Sequence, residues 1–423
     1  MNKNFIAFSV MMVLLRVLLE VSYVNIISPY FGYSGFITLF TIENYLLSWM
    51  VYMTALLFSA DRISRVSDCF FLMAVIGVIT PICILFGYDA DRSFAPLGAS
   101  IVSLLIIYFV VNTKSITFRR VPIFRNGLGL VVLISSSFVA FLIFWYLASD
   151  VSLNLDPTRV YEYRSENQDK AGGGILNYII PWTYKIFTMT LLAIALLGRR
   201  YSLAILILSV QVFFYAASAH KSVLISPLLI LGLYFYFRKT NSVLIVPVVL
   251  SGVVALTLGM YYIFDDIFAS SYVVRRVLFV PSSLTFSYFE FFASNPKVFW
   301  SNSLLSGFLD YPYGKDQSMA LVIGEFIGYP DQNANNGFIS AGFAHAGFFG
   351  IFFYSIIIGL ILRFLNHVTE NLLPLWFGLS LCILPLASLL LASDLLVVLL
   401  THGFIVALFI ITLVRSKKYA NAS

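Results

Sequence analysis

The sequence predicts an all-α, polytopic integral membrane protein with about twelve transmembrane helices and two long loops on one side. Three observations carry that expectation. Of the 423 residues, 60% are hydrophobic and only 11% are charged, where an ordinary soluble domain carries roughly 25% charge. The apolar residues fall into runs of the length a spanning helix needs, about 20 residues. The cations sit in the short connections between those runs, the distribution that sets membrane orientation. The formal net charge of +6 therefore describes topology, and no nucleic-acid partner is expected.

The first apolar run, residues 5–27, is too long for a cleavable signal and carries Arg16 and Glu20, so it reads as a permanent span. Those two charges are one helical turn apart and can pair within their own helix. Residues 36–60 form the second run, with Glu43 in it, followed by 69–87, 96–112 and the uninterrupted 127–148. Residues 176–197 carry Lys185, a charge expected to have a partner or to border a cavity at that depth. Runs 201–217 and 222–237 are joined by the tight turn that holds His220 and Lys221. Run 243–264 precedes the longest connection. The tenth run, 337–362, places Gly342, Ala346 and Gly350 at every fourth position, a small-residue stripe that allows close helix contact. Runs 372–392 and 395–414 complete the set, and no inverted pair of broken spans of the transporter kind is visible. Cys69, Cys83 and Cys382 lie inside apolar runs without Cys-x-x-Cys spacing, so neither a disulfide framework nor a metal site is expected.

With the N-terminus inside, the inner connections collect Lys3, Arg62, Arg65, Lys114, Arg119, Arg120, Arg125, Arg199, Arg200, Arg238, Lys239, Arg363, Arg415, Lys417 and Lys418, fifteen of the 26 cations. Both termini are then cytoplasmic. The chain 1–423 reads as one transmembrane domain with two enlarged outer loops, 149–175 and 265–336, of 27 and 72 residues. Aromatic and Val residues crowd around Arg275, Arg276 and Glu290 in the second loop, the composition of helices lying at the membrane interface. Function is expected in these two loops.

The candidate residues are mostly cations. Arg159 and Arg164 in the first loop, and Arg275 and Arg276 in the second, carry the planar fork that pairs bidentately with phosphate. Solvated loop charges and lipid-phosphate anchors are the plainer alternatives. Adjacent residues on a helix point about 100° apart, so one of Arg275 and Arg276 faces a site. Lys221 sits at an outer turn where the positive-inside pattern would avoid it, with His220 beside it. His345, beside the small-residue stripe, reads as a general base or, more simply, as a hydrogen-bonded structural histidine.

In these features the chain resembles the O-antigen polymerase family of oligosaccharide repeat-unit polymerases. The resemblance covers most of the length: about a dozen spans, cytoplasmic termini and two enlarged periplasmic loops bearing arginines. Three stretches add to it: Ser218-Ala219-His220-Lys221-Ser222; Arg275-Arg276 followed by Phe279, Pro281 and an aromatic segment to Pro296; and Asn336-Gly337, nine residues, then Gly347-x-x-Gly350. The related O-antigen ligases carry a histidine where Asn336 stands, which favours polymerase over ligase. Between Arg164 and Gly174 lie nine residues, where polymerase loops have ten.

The resemblance implies a bacterial inner-membrane enzyme, a glycosyltransferase without cofactor or metal. It would join undecaprenyl-diphosphate-linked oligosaccharides at the periplasmic face, working beside a flippase and a chain-length-regulating membrane protein. Cations at the leaving diphosphate would stabilise the transition state, which nominates Arg159, Arg164, Lys221, Arg275 and Arg276. The base for the attacking hydroxyl would come from Glu162, Glu166, Asp310, Glu325 or His345. His220, Asn336, Tyr311 and Tyr313 are expected to bind substrate. The competing readings are a flippase or other transporter, an O-antigen ligase and an acyltransferase. The topology is tested by cysteine labelling on a Cys-free background. Probes at Ser165 and Ser306 should react with an impermeant reagent in intact cells, and protection until lysis would overturn the assignment.

Overall fold

The computed structural model describes residues 3–113, 121–156, 173–314 and 317–416. Apart from two isolated backbone bridges, Leu39 with Asp89 and Arg62 with Ser242, the regular structure among these residues is helical. In chain order the helices begin with α1 (Lys3–Ser34), α2 (Ile42–Leu56), α3 (Val66–Tyr88), α4 (Ala95–Asn112), α5 (Gly127–Ala148) and α6 (Leu176–Leu197). Next come α7 (Tyr201–Ser218), α8 (Lys221–Phe237), α9 (Ile245–Phe264), α10 (Val280–Ser294) and α11 (Met319–Phe326). The last four are α12 (Phe338–Thr369), α13 (Leu375–Leu391), α14 (Leu395–Leu399) and α15 (Phe404–Val414).

Eight of the described helices are long and apolar enough to cross a membrane: α1, α3, α4, α5, α6, α7, α9 and α12. The other expected spans are shorter. At a rise of about 1.5 Å per residue, α2, α8 and α13 extend roughly 23 to 26 Å, below the roughly 30 Å of a hydrocarbon core. The last expected span is not one helix. Residues 395–414 break into α14 and α15 around Gly403, which has a φ of 73°. A side chain there would press on the Trp182 ring, 2.7 Å away, and the Trp182 indole donates to the Leu400 carbonyl (2.6 Å).

The tenth expected span also differs from its expectation. Ala346 and Gly347 leave helical geometry, with Gly347 at a φ of 61°, so α12 is two arms, 338–345 and 348–369. The small-residue stripe acts within this bend. A Cβ on Gly350 would lie 2.0 Å from the Gly342 carbonyl oxygen, so the two arms touch each other through glycines.

The connections sort to two ends. At one end Ile63 and Val243 exchange backbone hydrogen bonds with Asn241 and Asp61 (2.8 and 3.0 Å). There too Arg363 donates to the Val111 carbonyl (2.6 Å), Arg415 to Pro122 (2.8 Å), and the Ser416 amide to Leu372 (3.2 Å). At the opposite end the Leu39–Asp89 bridge, Arg92 on the Gly35 carbonyl (2.6 Å) and Ser34 beside the Tyr329 hydroxyl (3.2 Å) tie the other set together. The connections rich in cations thus share one end of the bundle.

Between the ends, α3 is apolar all round and is surrounded by α2, α4, α12 and α13, the central position that such a helix requires. The Arg16 side chain is fully buried. Its guanidinium donates to Glu20 (2.9 Å) and to the Ser48 carbonyl and hydroxyl (3.0 and 2.6 Å), and lies 3.9 Å from the Trp49 ring centre. Tyr45 donates to the second Glu20 oxygen (3.1 Å), so the pairing expected within α1 extends to α2.

Among the described residues four segments widen to π-helix: Tyr23–Ile27, Val75–Ile79, Thr183–Phe187 and Ser271–Phe279. Three of them run directly into a Ser-Pro, Thr-Pro or Val-Pro pair, at Pro29, Pro81 and Pro281. A proline ring clashes with the carbonyl four residues back and offers no donor to it, so widening the turn relieves the clash. Replacing Gly350 by Ala should cost about 1–3 kcal/mol of stability by overpacking the bend, read as a lower unfolding temperature in detergent. Gly129→Ala, with open space around it, should leave that temperature unchanged or slightly raised.

Candidate functional site

Of the two adjacent arginines, Arg275 is half-buried and Arg276 is exposed, because the π-helical segment Ser271–Phe279 turns its Val274 and Phe279 inward, with the Phe279 ring against Tyr23 of α1. The Arg275 guanidinium lies 4.1 Å from the centre of the Phe31 ring, and its Nε donates to Ser271 Oγ (3.2 Å). Tyr33 and Tyr329 stand near it. Burial lowers the Arg275 pKa from its ordinary value, opposed by Tyr33, with Arg276 adding to the fall. Among the described residues neither arginine has a carboxylate partner. A cation so placed, on an aromatic ring with its terminal nitrogens unspent, is suited to a planar or tetrahedral oxyanion.

A second cluster forms where the bend of α12 meets the start of α14. Phe299 and Trp300 both adopt left-handed backbone, with φ of 47° and 56°, which turns successive amides toward the end of the 338–345 arm. Val298 and Phe299 donate to the Ala344 and His345 carbonyls (2.9 and 3.0 Å), and the Trp300 amide donates to His345 Nδ1 (3.1 Å). That places the ring proton on Nε2, which donates to Asp394 (3.1 Å). Tyr354 donates to the same carboxylate oxygen (2.8 Å), and the Trp300 indole donates to the Tyr354 hydroxyl (2.7 Å). The other Asp394 oxygen caps α14 through the Leu396 amide (2.7 Å). His345, nominated as a base, therefore has both ring nitrogens engaged and is buried. Its geometry is that of a positioning residue.

The remaining candidates are placed variously. Arg159, Glu162, Arg164 and Glu166 lie outside the described residues. Lys221 is exposed at the start of α8, and His220 Nδ1 lies 2.6 Å from the Ser218 carbonyl. The Asn336 amide is committed to the protein: its Nδ2 is within 2.9–3.1 Å of Pro281 O, Thr285 Oγ1 and Ser340 Oγ, and its Oδ1 accepts from Gly337 (2.8 Å). Gly337 is needed there, since a Cβ would lie 2.1 Å from the Leu390 carbonyl oxygen. Asp310 and Glu325 are exposed, with Gln317 near one Glu325 oxygen (3.4 Å). Tyr313 donates to Pro296 (2.5 Å), while the Tyr311 hydroxyl is buried without a partner and is pushed up to about 12 by burial, then by Tyr313. The two tyrosine rings meet edge to face at 5.6 Å.

No family model, curated protein or solved structure matches this chain at a significant level. The three cysteines are free and buried.

Asp394, Tyr354 and Lys297 are residues of these clusters that the sequence did not single out, whereas Trp300 stood out only as an aromatic face for a sugar ring or the membrane interface. Lys297 holds its ammonium 4.5 Å from the Phe343 ring centre and bonds the Phe292 carbonyl; burial lowers its pKa. Asp394 alone carried a signal, an acidic residue immediately before an apolar run. Replacing Asp394 by Ala removes a helix cap, worth about 1 kcal/mol, and two bonds to a charged group, worth about 1.5–3 kcal/mol each. The unfolding temperature in detergent should fall by several degrees or more, and Asp394→Asn should recover part of that loss.

Proposed function

We propose that this protein is a membrane glycosyltransferase of the O-antigen polymerase type, and that Arg275 holds the diphosphate of a lipid-linked oligosaccharide. The observation that carries the reading is an arginine half-buried on Phe31, flanked by tyrosines and without a carboxylate partner among the described residues. In this reading the cation-rich end of the bundle faces the cytoplasm, all twelve apolar runs lie in the bacterial inner membrane, and loops 149–175 and 265–336 are periplasmic.

The growing glycan on undecaprenyl diphosphate is the donor. A hydroxyl of an incoming lipid-linked unit attacks its anomeric carbon, the bond to the diphosphate breaks, and the hydroxyl proton passes to a carboxylate. Negative charge rises on the leaving diphosphate, where the Arg275 guanidinium opposes it more strongly in the transition state than in the ground state. Asp310 and Glu325, two of the exposed carboxylates of the described loop, can take the proton. The exposed faces of Tyr33, Tyr262 and Tyr272 suit sugar rings and the membrane interface. A chain-length-regulating membrane protein and a flippase are the expected partners.

A second reading, a transporter of the same lipid-linked units, is favoured by one observation: the broken segment α14–α15 and the bent α12 both open backbone next to buried polar groups, as discontinuous helices do in transporters. The two readings differ in a deletion strain. Loss of a polymerase leaves single repeat units on the surface polysaccharide with the ladder gone, whereas loss of a flippase leaves almost no glycan of any length. Arg275→Ala should lower polymer formation about 10- to 150-fold, the equivalent of a lost charged hydrogen bond of about 1.5–3 kcal/mol. Arg275→Lys should restore little, and Arg276→Ala should act less than Arg275→Ala. A normal ladder from Arg275→Ala removes that residue from the site.

A further inference from the structure

A cavity of about 80 Å³ opens between α6, α8, α13 and the break between α14 and α15. Lys185, Ser222, Ser226, Ser388 and His402 line it, with Pro385 among the apolar residues of the wall. A water needs about 10–15 Å³ in such a measure, so the space holds a group of several heavy atoms. Lys185 lies nine residues into α6, about 14 Å along it, on the π-helical segment Thr183–Phe187. Its ammonium has no hydrogen bond or ion pair among the described residues, and no carboxylate lines the cavity. His402 Nδ1 is buried without a partner. Ser226 spends its hydroxyl proton on the Ser222 carbonyl (2.5 Å), while the Ser222 and Ser388 hydroxyls make no hydrogen bond to the described protein.

An ammonium at that depth is costly unless an anion meets it, and two other charges inside the described bundle show how this chain meets such a cost. Arg16 has Glu20, and Asp394 has His345 and Tyr354. Lys185 has an opening instead. A cation, an imidazole and two free hydroxyls converging on one small cavity supply a charge and several directed donors, the recognition set for a tetrahedral phosphoryl group.

We infer that the Lys185–His402 cavity is a phosphoryl-binding site that takes the phosphate head of a polyisoprenoid lipid. Ser222 follows Lys221 directly, so a second cation stands at the turn leading into the cavity. The helices that build it are not those around Arg275, which packs on Phe31 of α1. The protein therefore has two separate anion sites, one for each of two phosphate-bearing lipids. Only the identity of the lipid rests on the proposed polymerase reading.

The test is binding of geranylgeranyl monophosphate to the purified full-length chain by calorimetry, with geranylgeraniol and inorganic phosphate as parallel probes. Lys185→Met should weaken the phospholipid probe at least tenfold and Lys185→Arg should stay within about threefold of the native protein. Geranylgeraniol should bind weakly and equally to all three. Should Lys185→Met lower the unfolding temperature, Ser222→Cys provides an independent measurement. The native cysteines are buried, and the new thiol should be protected from maleimide by geranylgeranyl monophosphate. Unchanged affinity in Lys185→Met, or no protection of Ser222→Cys, overturns the site. Inorganic phosphate displacing the lipid probe at equal concentration keeps the phosphoryl site and overturns the lipid as its source. Retained binding in a protein that makes no polymer overturns the polymerase reading and leaves the site standing, whereas a normal ladder with unaltered binding in Lys185→Met overturns the site alone.

Discussion

A charged or polar group inside a bilayer must be met by a partner of its own, because no water is there to take that place. The described structure is organised by that constraint. Arg16 is met on all sides by Glu20, Ser48, Trp49 and Tyr45 acting through Glu20, and in being met it joins α1 to α2. The His345–Asp394–Tyr354–Trp300 cluster joins the bend of α12 to the cap of α14 in the same way. Polar residues here are fasteners first.

Two exceptions share a backbone feature. Arg275 lies on one π-helical segment and Lys185 on another. A π turn adds a residue to the helix without lengthening its hydrogen-bonded ladder in register, so it rotates the side chains that follow relative to those before it. Each stands against aromatic or polar neighbours, where an anion can complete the contact.

The sequence told most where local chemistry decides the outcome. The limits of α5 and α6 coincide with the apolar runs 127–148 and 176–197, because charged and turn residues bracket both. It told least where a tertiary contact overrides an unbroken apolar pattern. Residues 400–403 lie in a run that reads as one span, and the break depends on Trp182, some 220 residues earlier, gripping the Leu400 carbonyl. Gly342, Ala346 and Gly350 have the spacing of a packing stripe, yet the deciding glycine was Gly347, whose positive φ bends the chain. His345 was visible beside the stripe, but its union with Asp394 spans 49 positions. The arginines of the 149–175 loop lie outside the described residues, so the part of the expected site built on Arg159 and Arg164 stands on sequence alone.

The Arg16 network has a further consequence for biogenesis. The first helix packs extensively against α9, the helix that ends at Phe264, so roughly 230 residues must be synthesised before its main neighbour exists. During that interval α1 resides in lipid with a full charge at its centre. Glu20, one turn away on the same helix, neutralises that charge from the moment of insertion, and Ser48 completes the shell as soon as the second helix follows. The first span thus carries its own temporary counter-ion, and the late closure of the bundle around it imposes no long exposure of a naked cation to the bilayer.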